Sequence, residues 1–289
     1  LILSARERVD FMALVNGRIS PQSFEDWKKR LPTIRYVLSA FDVLIAQDKQ
    51  NAERLAALSG RAVETFGNLK NAAPPLPALT RELDRLRGEC AGRPVWLAAS
   101  THPGEEEAVL AAHQALKPIF PGLLTILAPR HPTRGSEVSE LARGLGLEVR
   151  RRSENATIDA GTDIYVADTL GELGIFYRLS DIAFVGGGLT PKGGHNPLEP
   201  ARLGGAILHG PYTFNFVETY GEMRAAGGSA LVRNDRELAT AVRRLLADDK
   251  TRRAMADAAQ RAAEASAERV LNDVSAVVLE RLDKGVAAA

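Results

Sequence analysis

The stretch from Gly186 to Pro200 concentrates the residue types that bind anionic ligands. It reads Gly-Gly-Gly-Leu-Thr-Pro-Lys-Gly-Gly-His-Asn-Pro-Leu-Glu-Pro, and its five glycines permit turns of positive φ and a close approach of backbone to a ligand. Asn196 and Glu199 form the pattern of a capping box that begins a helix. The amino end of such a helix attracts anions, so the stretch predicts an anion site to which Lys192 and His195 contribute. Glycine-rich turns also occur without a ligand, and neither a Walker loop nor a Gly-x-Gly-x-x-Gly fingerprint is present.

Three further groups of polar residues each follow an apolar run of strand length. Because ligands of an open parallel sheet bind beyond the carboxyl ends of its strands, we expect these groups to share one edge. The groups are Ser100-Thr101-His102 after residues 95–99, Arg130-His131 after residues 123–128, and Asp168-Thr169 with Glu172 after residues 164–167.

Each of these side chains has an ordinary structural interpretation beside the functional one. Arg130 could grip a phosphate with two parallel hydrogen bonds, or form a surface ion pair. His102 and His131 could line a site, or lie in turns at the surface. Asp168 and Glu172 could work as an acid/base pair, or cap the helix that follows them. The residue types alone leave these alternatives open.

For the other ionisable or reactive residues we favour a structural interpretation. Glu105, Glu106 and Glu107 open a helix, where acidic side chains favour the dipole. The arginines at 150–152 are typical of a solvated strand end. Cys90 has no neighbour that would lower its pKa, and as the only cysteine it cannot form an internal disulfide, which is typical of a reducing compartment. No His-x-x-x-His or cysteine pair supports a metal site.

These polar groups need a sheet to bring them together, and the chain from residue 94 onward predicts one. Apolar runs of strand length alternate with amphipathic stretches of helix length, which indicates parallel strands buried on both faces in a doubly wound α/β domain. The predicted strands are 95–99, 123–128, 149–152, 164–167, 182–185, 206–208 and 230–232, and the predicted helices are 105–116, 136–145, 173–178, 236–246 and 254–282.

The first 70 residues predict a smaller α/β segment. Its predicted strands are 12–16, 43–46 and 63–66, and its predicted helices are 24–38, bent or ended at Pro32, and 50–58. Prolines in the stretch 71–77 block both helix and sheet interior, so this stretch is the best linker candidate. We therefore place the domains at residues 1–72 and 73–289.

Composition sets the class of protein. Lys and Arg number 37 and Asp and Glu 36 among 289 residues, a net charge of +1 that gives no general attraction for nucleic acid or acidic lipid. The 45% hydrophobic and 25% charged residues are typical of a soluble globular protein. No apolar run approaches the ~20 residues of a membrane helix, and no signal peptide precedes the first strand.

Seven segments, in order, give the chain a resemblance to the 3-deoxy-D-manno-octulosonic acid (Kdo) transferases of lipopolysaccharide synthesis. Together they extend over about residues 10–220. They are Leu14-Val15-Asn16-Gly17-Arg18-Ile19-Ser20, Gly67-Asn68-Leu69-Lys70, Ser100-Thr101-His102-Pro103-Gly104-Glu105-Glu106-Glu107, Pro129-Arg130-His131-Pro132, Asp168-Thr169-Leu170-Gly171-Glu172-Leu173, Gly193-Gly194-His195-Asn196-Pro197-Leu198-Glu199-Pro200 and Gly210-Pro211-Tyr212-Thr213-Phe214-Asn215-Phe216.

The resemblance implies a GT-B glycosyltransferase with a complete Rossmann-like C-terminal donor domain and, in this chain, part of an N-terminal Rossmann-like domain. Such enzymes transfer Kdo from CMP-Kdo to lipid IVA, a lipid A precursor, at the cytoplasmic face of the bacterial inner membrane. They need no metal in the active site and no cofactor, and nucleic acid is not a partner. Membrane contact would come only from an N-terminal segment preceding residue 1.

The resemblance also assigns roles to matching residues. All of them belong to the donor pocket, and none is catalytic. The phosphate and cytosine of CMP would be held by Arg130 and by the loop 186–196, with Gly187, Gly188, Gly193, Gly194, His195 and Asn196. Glu199 would hold the ribose hydroxyls. The pocket would be lined by Ser100, Thr101 and His102, with His131 beside them, and shaped by Asp168, Thr169 and Glu172.

The chain departs from the family pattern at several points. Gly188 stands where the family usually has Ser, and Asn71 where it commonly has an aromatic residue followed by an acid. The family's anchor helix, the Gly-Glu loop with the proposed catalytic base and a Glu-Leu-Trp-Pro-Asn motif are not found in these residues. We therefore expect the chain alone to bind CMP or CMP-Kdo but to transfer Kdo poorly or not at all.

Two other functions stay open. A shortened or degenerate relative would be a non-catalytic nucleotide-binding module, which the Gly188 change favours mildly. Another GT-B-like enzyme, such as a sugar-nucleotide epimerase, would need acid/base residues working on a UDP-sugar, so preference for CMP or UDP discriminates between the two kinds of enzyme.

Overall fold

The computed structural model describes residues 1–287, which form two compact units. The first unit consists of Leu1–Pro74 together with residues from Glu264 onward, and the second is Pro75–Ala263. The sequence analysis placed everything after residue 73 in one domain, whereas the end of the last helix here groups with the first unit.

The first unit contains a three-stranded parallel sheet in the order β1-β2-β3. Every residue of β2 is buried, as its uninterrupted apolar run Val-Leu-Ile-Ala predicts. The strands are β1 (Ala13–Gly17), β2 (Val43–Ala46) and β3 (Glu64–Thr65), and the helices are α1 (Ile2–Arg6), α2 (Pro21–Lys28), α3 (Leu31–Leu38) and α4 (Lys49–Ser59). The helix predicted over 24–38 is two helices, because Pro32 lies in the first turn of α3, where a missing N–H costs nothing.

The second unit contains a seven-stranded, wholly parallel sheet in the order β10-β9-β8-β4-β5-β7-β6. Its strands are β4 (Val95–Thr101), β5 (Leu124–Pro129), β6 (Val149–Arg151), β7 (Ile164–Val166), β8 (Ile182–Val185), β9 (Ala206–His209) and β10 (Ser229–Leu231). The first strand of the unit, β4, lies between β5 and β8, so the strand order reverses there. Such a switch point is where open α/β sheets bind ligands.

Helices cover both faces of this sheet. They are α5 (Thr80–Cys90), α6 (Glu105–Leu116), α7 (Gly135–Gly144), α8 (Leu173–Phe176), α9 (Leu198–Ala201), α10 (Val217–Ala225), α11 (Asp235–Ala247) and α12 (Asp249–Ala287). Successive residues of β4 point to opposite faces: Trp96 packs in the core beneath α6, α7 and α11, and Leu97 in the core beneath α5 and α8. Both side chains are fully buried.

Two sequence expectations can be compared directly with the folded chain. Burial raises the pKa of the Cys90 thiol to about 11, in keeping with the predicted inertness. Within residues 1–287 no helix has the length and apolar character needed to cross a membrane.

Candidate functional site

The site lies at the carboxyl ends of β4 and β8. Ser100 adopts a left-handed conformation with φ of 57°, at the point where the pairing of β4 with β5 shifts by one residue. Such a conformation costs about 1–3 kcal/mol in a non-glycine residue and is found where surrounding structure enforces it. The carbonyl oxygen of Ser100 crowds the loop after β8, since a Cβ on Gly186 would lie 2.5 Å from it. This contact requires glycine at 186.

A buried carboxylate holds the first part of the glycine-rich loop. Glu105, the first residue of α6, accepts hydrogen bonds at Oε2 from the backbone N–H groups of Gly187 (2.7 Å) and His102 (3.0 Å). Its Oε1 accepts from the N–H groups of Gly188 (3.0 Å) and Leu189 (2.8 Å). Burial raises the pKa of Glu105, and these backbone hydrogen bonds oppose that rise. The sequence analysis favoured a helix-dipole role for this residue, yet here it is the anion that the loop surrounds.

The second part of the loop folds back on the first. The N–H of Gly194 donates to the carbonyl of Gly187 (2.8 Å), and the N–H of His195 donates to that of Gly186 (3.1 Å). The hydroxyl of Tyr220, from α10, donates to the carbonyl of His195 (2.8 Å). These bonds fix the position of His195 beside the end of β4.

His102 and His195 form a pair across the switch point. Their Nε2 atoms are 2.9 Å apart, and their rings stack with an interplanar angle of 11°. The ring of His131 meets that of His102 edge-on at 6.1 Å. Burial lowers the pKa of His102, assisted by the charge of Lys192, and burial lowers that of His195 to about 4. The lowered pKa values favour the neutral form of both imidazoles, and the two Nε2 atoms lie at hydrogen-bond distance from each other.

Arg130 supplies the site with positive charge. Its side chain is exposed, and no carboxylate of the residues described lies within 4.0 Å of its guanidinium. Its charge lowers the pKa values of His102, His195 and Glu199, so it adds to the positive potential at this edge of the sheet. A guanidinium in this position is available to a ligand anion.

Asn196 and Glu199 do not form the predicted capping box. Asn196 Oδ1 accepts from the N–H of Leu198 (3.1 Å), and its amide donates to Glu199 Oε1 (3.4 Å), so Glu199 contacts the side chain of Asn196 rather than its backbone. Burial raises the pKa of Glu199, opposed by Asn196 and by the charges of Arg202 and Arg130. The helix that follows, α9, has only four residues, too few for the strong dipole that the sequence analysis expected there.

Asp168 is fully engaged in a polar cluster with the strand end at β6. Its Oδ2 accepts from Arg151 Nη2 (2.8 Å) and Nε (3.1 Å) and from the Ser153 hydroxyl (2.8 Å), while Oδ1 accepts from the Ser153 N–H (2.9 Å). Burial raises the pKa of Asp168, and the bonds from Ser153 and Arg151 outweigh this effect and lower it.

Glu172 has an equivalent arrangement with the next arginine. It accepts from Arg152 Nη2 (2.6 Å) and Nε (2.9 Å) and from the Thr169 hydroxyl. Arg152 also pairs with Glu82 at 3.0 Å, and its side chain is only 10% exposed. The prediction of a solvated strand end at 150–152 is therefore wrong for Arg151 and Arg152. Neither Asp168 nor Glu172 caps α8, which has no side-chain cap.

The remaining glycines of the predicted site are in tight contacts. A Cβ on Gly188 would lie 2.8 Å from the backbone nitrogen of Gly210, so Ser, the usual family residue, would require the backbone to move. Gly193 has φ of 93°, and a Cβ there would lie 2.4 Å from the Asn215 amide. The Asn215 amide donates to the carbonyl of Lys192 (2.9 Å). The loop at 210–216 thus supports the glycine-rich loop.

The structure brings most predicted site residues to one edge of the sheet, but their roles differ. Five of these residues lie around the switch point: His102, Arg130, His131, His195 and Glu199. Thr101 is buried and donates to Glu106 (3.3 Å), which pairs with Arg134 (3.2 Å). Asp168 accepts from Arg151 and Ser153. Glu172 accepts from Arg152 and Thr169, and the assignment of Asp168, Thr169 and Glu172 to a donor pocket stays a prediction. Among residues 1–287 no three His, Cys, Asp or Glu side chains are placed to hold a metal ion.

Sequence reasoning missed the central residue, Glu105, and the support from Tyr220. The only local signal at Glu105 is an acid that opens a helix after a Pro-Gly turn, a common pattern with no bearing on a ligand. Its partners in the loop after β8, Gly187, Gly188 and Leu189, are 82 to 84 residues further along the chain. A single sequence carries no record of that pairing.

Comparison with known proteins associates both units with one family. A family model described as 3-deoxy-D-manno-octulosonic-acid transferase (kdotransferase) matches residues 1–73. The 3-deoxy-D-manno-octulosonic acid transferase of Haemophilus influenzae is 38% identical over 210 residues, which are 72% of this chain and 49% of that protein. This chain spans about half the length of the curated relatives it matches.

Solved structures give the same result for the second unit. The C-terminal CMP-Kdo binding domain of WaaA from Acinetobacter baumannii is 33% identical, with a TM-score of 0.61, covering 63% of this chain and 96% of that domain. A glycosyltransferase from Rickettsia africae is 14% identical with a TM-score of 0.58 over 97% of this chain and 79% of that one, a similarity of fold alone. The α/β class of GT-B type predicted from the sequence is confirmed.

Proposed function

Because the chain belongs to the Kdo transferase family, we propose that its second unit binds the donor CMP-Kdo at the switch point between β4 and β8. We propose further that Kdo is transferred from this donor to lipid IVA, the lipid A precursor, at the cytoplasmic face of the inner membrane. The observation that supports donor binding most directly is the exposed guanidinium of Arg130, which pairs with no carboxylate of residues 1–287 and whose charge acts on the His102–His195 pair.

The side chains around the switch point suit a nucleotide monophosphate. Arg130 binds the phosphate, because a guanidinium forms two parallel hydrogen bonds to phosphate oxygens. The neutral histidine pair can donate one further hydrogen bond without adding fixed charge. Glu199, half-buried beside Asn196, accepts from ribose hydroxyls. No metal is needed in this proposal, since Arg130 compensates the phosphate charge and stabilises CMP as leaving group.

Isothermal calorimetry with CMP tests this proposal. We expect Arg130→Ala to weaken CMP binding about 10- to 100-fold, as a hydrogen-bonded charged contact contributes about 1.5–3 kcal/mol. Arg143→Ala is the matched control, since Arg143 is an exposed arginine on α7. Equal CMP affinity in wild type and Arg130→Ala would rule out the phosphate role.

The same titration separates the competing functions. Binding of CMP in preference to UMP, with the same affinity in EDTA as in MgCl₂, is expected of a metal-free Kdo donor site. Preference for UDP or a UDP-sugar would instead favour an epimerase-like enzyme of the same fold.

A further inference from the structure

We propose that Glu105 is a positioning residue of this site: its carboxylate fills an amide cradle made by the N–H groups of His102, Gly187, Gly188 and Leu189, and thereby sets the spacing of the His102–His195 pair. The positioning is independent of any ligand. Its consequence for CMP binding rests on the proposed function.

The cradle is complete and closed. Each oxygen of Glu105 accepts two backbone N–H groups, at distances of 2.7 to 3.0 Å, and the side chain is fully buried. Converging backbone N–H groups of this kind form the nests that bind phosphate and other anions in many loops. Here the anion belongs to the protein, so these amides are not available to a ligand phosphate.

The loop backbone is shaped around this carboxylate. A Cβ on Gly186 would lie 2.9 Å from Glu105 Oε2, so only glycine lets the carboxylate reach the cradle. Gly187 has a φ of 77°, a left-handed conformation that glycine adopts easily. In this conformation its N–H and that of Gly188 both point to the carboxylate of Glu105. Gly187 and Gly188, which the sequence analysis assigned to ligand binding, thus bind the carboxylate of Glu105 through their N–H groups.

One carboxylate controls both members of the histidine pair. It holds His102 directly, through that residue's N–H. It holds His195 indirectly, because His195 and Gly194 donate to the carbonyls of Gly186 and Gly187, the segment fixed by Glu105. A shift of the cradle therefore changes the 2.9 Å separation of the two Nε2 atoms.

Glu105→Gln is the least disruptive test. Glutamine keeps the shape but has one acceptor oxygen, so its NH₂ faces two backbone N–H groups and two of four bonds are lost. Glu107→Gln is the matched control: it removes the same charge from the same helical turn, where the exposed Glu107 accepts one hydrogen bond, from the N–H of Gly104 (2.7 Å), among the residues that the structure describes.

The first measurement is a histidine NMR titration. In Glu105→Gln we expect the loop to shift and the burial of His195, which is the main cause of its low pKa, to decrease, so that this pKa rises from about 4 toward its ordinary value; in Glu107→Gln it should stay unchanged. An unchanged His195 titration in Glu105→Gln would contradict the positioning role.

The second measurement keeps the test decisive if glutamine destabilises the fold. Glu105→Ala removes a fragment equivalent to acetate, so sodium acetate should raise its Tm by several degrees above that in sodium chloride of equal ionic strength. Wild type and Glu107→Gln should show no such gain. Absence of an acetate effect in Glu105→Ala would mean that the cradle does not need an anion.

CMP calorimetry links the cradle to the proposed function. We expect Glu105→Gln to weaken CMP binding at least about 10-fold. Unchanged or tighter binding would overturn the link, and tighter binding would show that the cradle amides serve the ligand phosphate instead. If wild type and Glu107→Gln both fail to bind CMP, the proposed function fails, while the histidine and acetate measurements still decide the role of Glu105.

Discussion

The Nε2 atoms of His102 and His195 lie 2.9 Å apart, in a setting that lowers the pKa of both rings. Burial is the main cause, and the charges of Lys192 and Arg130 add to it. The environment of the pair therefore favours neutral imidazoles that can form hydrogen bonds.

This pair makes the free energy of unfolding depend on pH. An unfolded histidine titrates near 6.5, whereas the folded pKa of His195 is about 4, so between these values the unfolded chain binds more protons. Stability is fully present above about pH 6.5 and falls as the pH is lowered to 4. We expect urea unfolding at pH 7.5, 6.0, 5.0 and 4.5 to show this loss in wild type, and a clearly smaller loss in His195→Gln.

The control is Leu271→Ala, an exposed position without an ionisable group, which should follow the wild-type pH dependence. An identical pH dependence in wild type and His195→Gln would show that the pair does not carry this linkage.

Among the secondary-structure elements, charged side chains tie the loops after the strands to neighbouring segments. Glu105 joins α6 to the loop after β8. Asp168 and Glu172, after β7, join the neighbouring strand end at Arg151 and Arg152. These ties give the carboxyl edge of the sheet a fixed shape, which a preformed ligand site requires.

Removing Asp168 should destabilise the second unit strongly. Asp168→Ala leaves Arg151 and Ser153 without their buried partner, and breaking such a pair costs about 3 kcal/mol. The control, Glu154→Ala, removes a second carboxylate that pairs with Arg151. The side chain of Glu154 is 53% exposed, so its loss should lower the free energy of unfolding by less than about 1 kcal/mol. Urea denaturation measures both values, and a cost for Asp168→Ala as small as that of the control would contradict a structural role for the cluster.

At the scale of the whole chain, the last helix contributes to two cores. Ala259 and Ala263 of α12 pack against Val185 and Ile207 of the second unit. Further along, α12 enters the core of the first unit, where Val270 and Val274 pack against β2. This apolar cover packs on one face of the three-stranded sheet of the first unit.

Substitution of Val270 therefore tests the stability of the first unit alone. Val270→Ala removes two buried methyl groups beside Val43 and Ile45 and should cost about 2 kcal/mol. Limited proteolysis should then cut the first unit faster, with the second unit unaffected. Leu271→Ala, next in sequence and 47% exposed, is the control and should leave proteolysis at the wild-type rate. Equal rates in both variants would contradict this packing.

Local sequence patterns are enough to predict the class of fold and to bring the candidate site residues to one edge of the sheet. Ile182–Val185 was identified as a strand because one buried on both faces must be apolar throughout. Arg130, His102 and His195 were placed together because the carboxyl ends of parallel strands meet at one edge. These inferences depend on local pattern, which the chain displays residue by residue.

Only the tertiary structure decided which partners these residues take. Glu105 meets amides more than 80 residues away, and Asp168 meets Arg151 because β7 lies beside β6. The end of α12 joins the first unit although its sequence only predicts a helix. Burial and hydrogen bonding between distant segments determine these partners. A buried carboxylate binds the N–H groups that the fold places next to it, and an apolar helix face packs on the apolar surface that the fold places next to it. Neither partner can be identified from the local sequence.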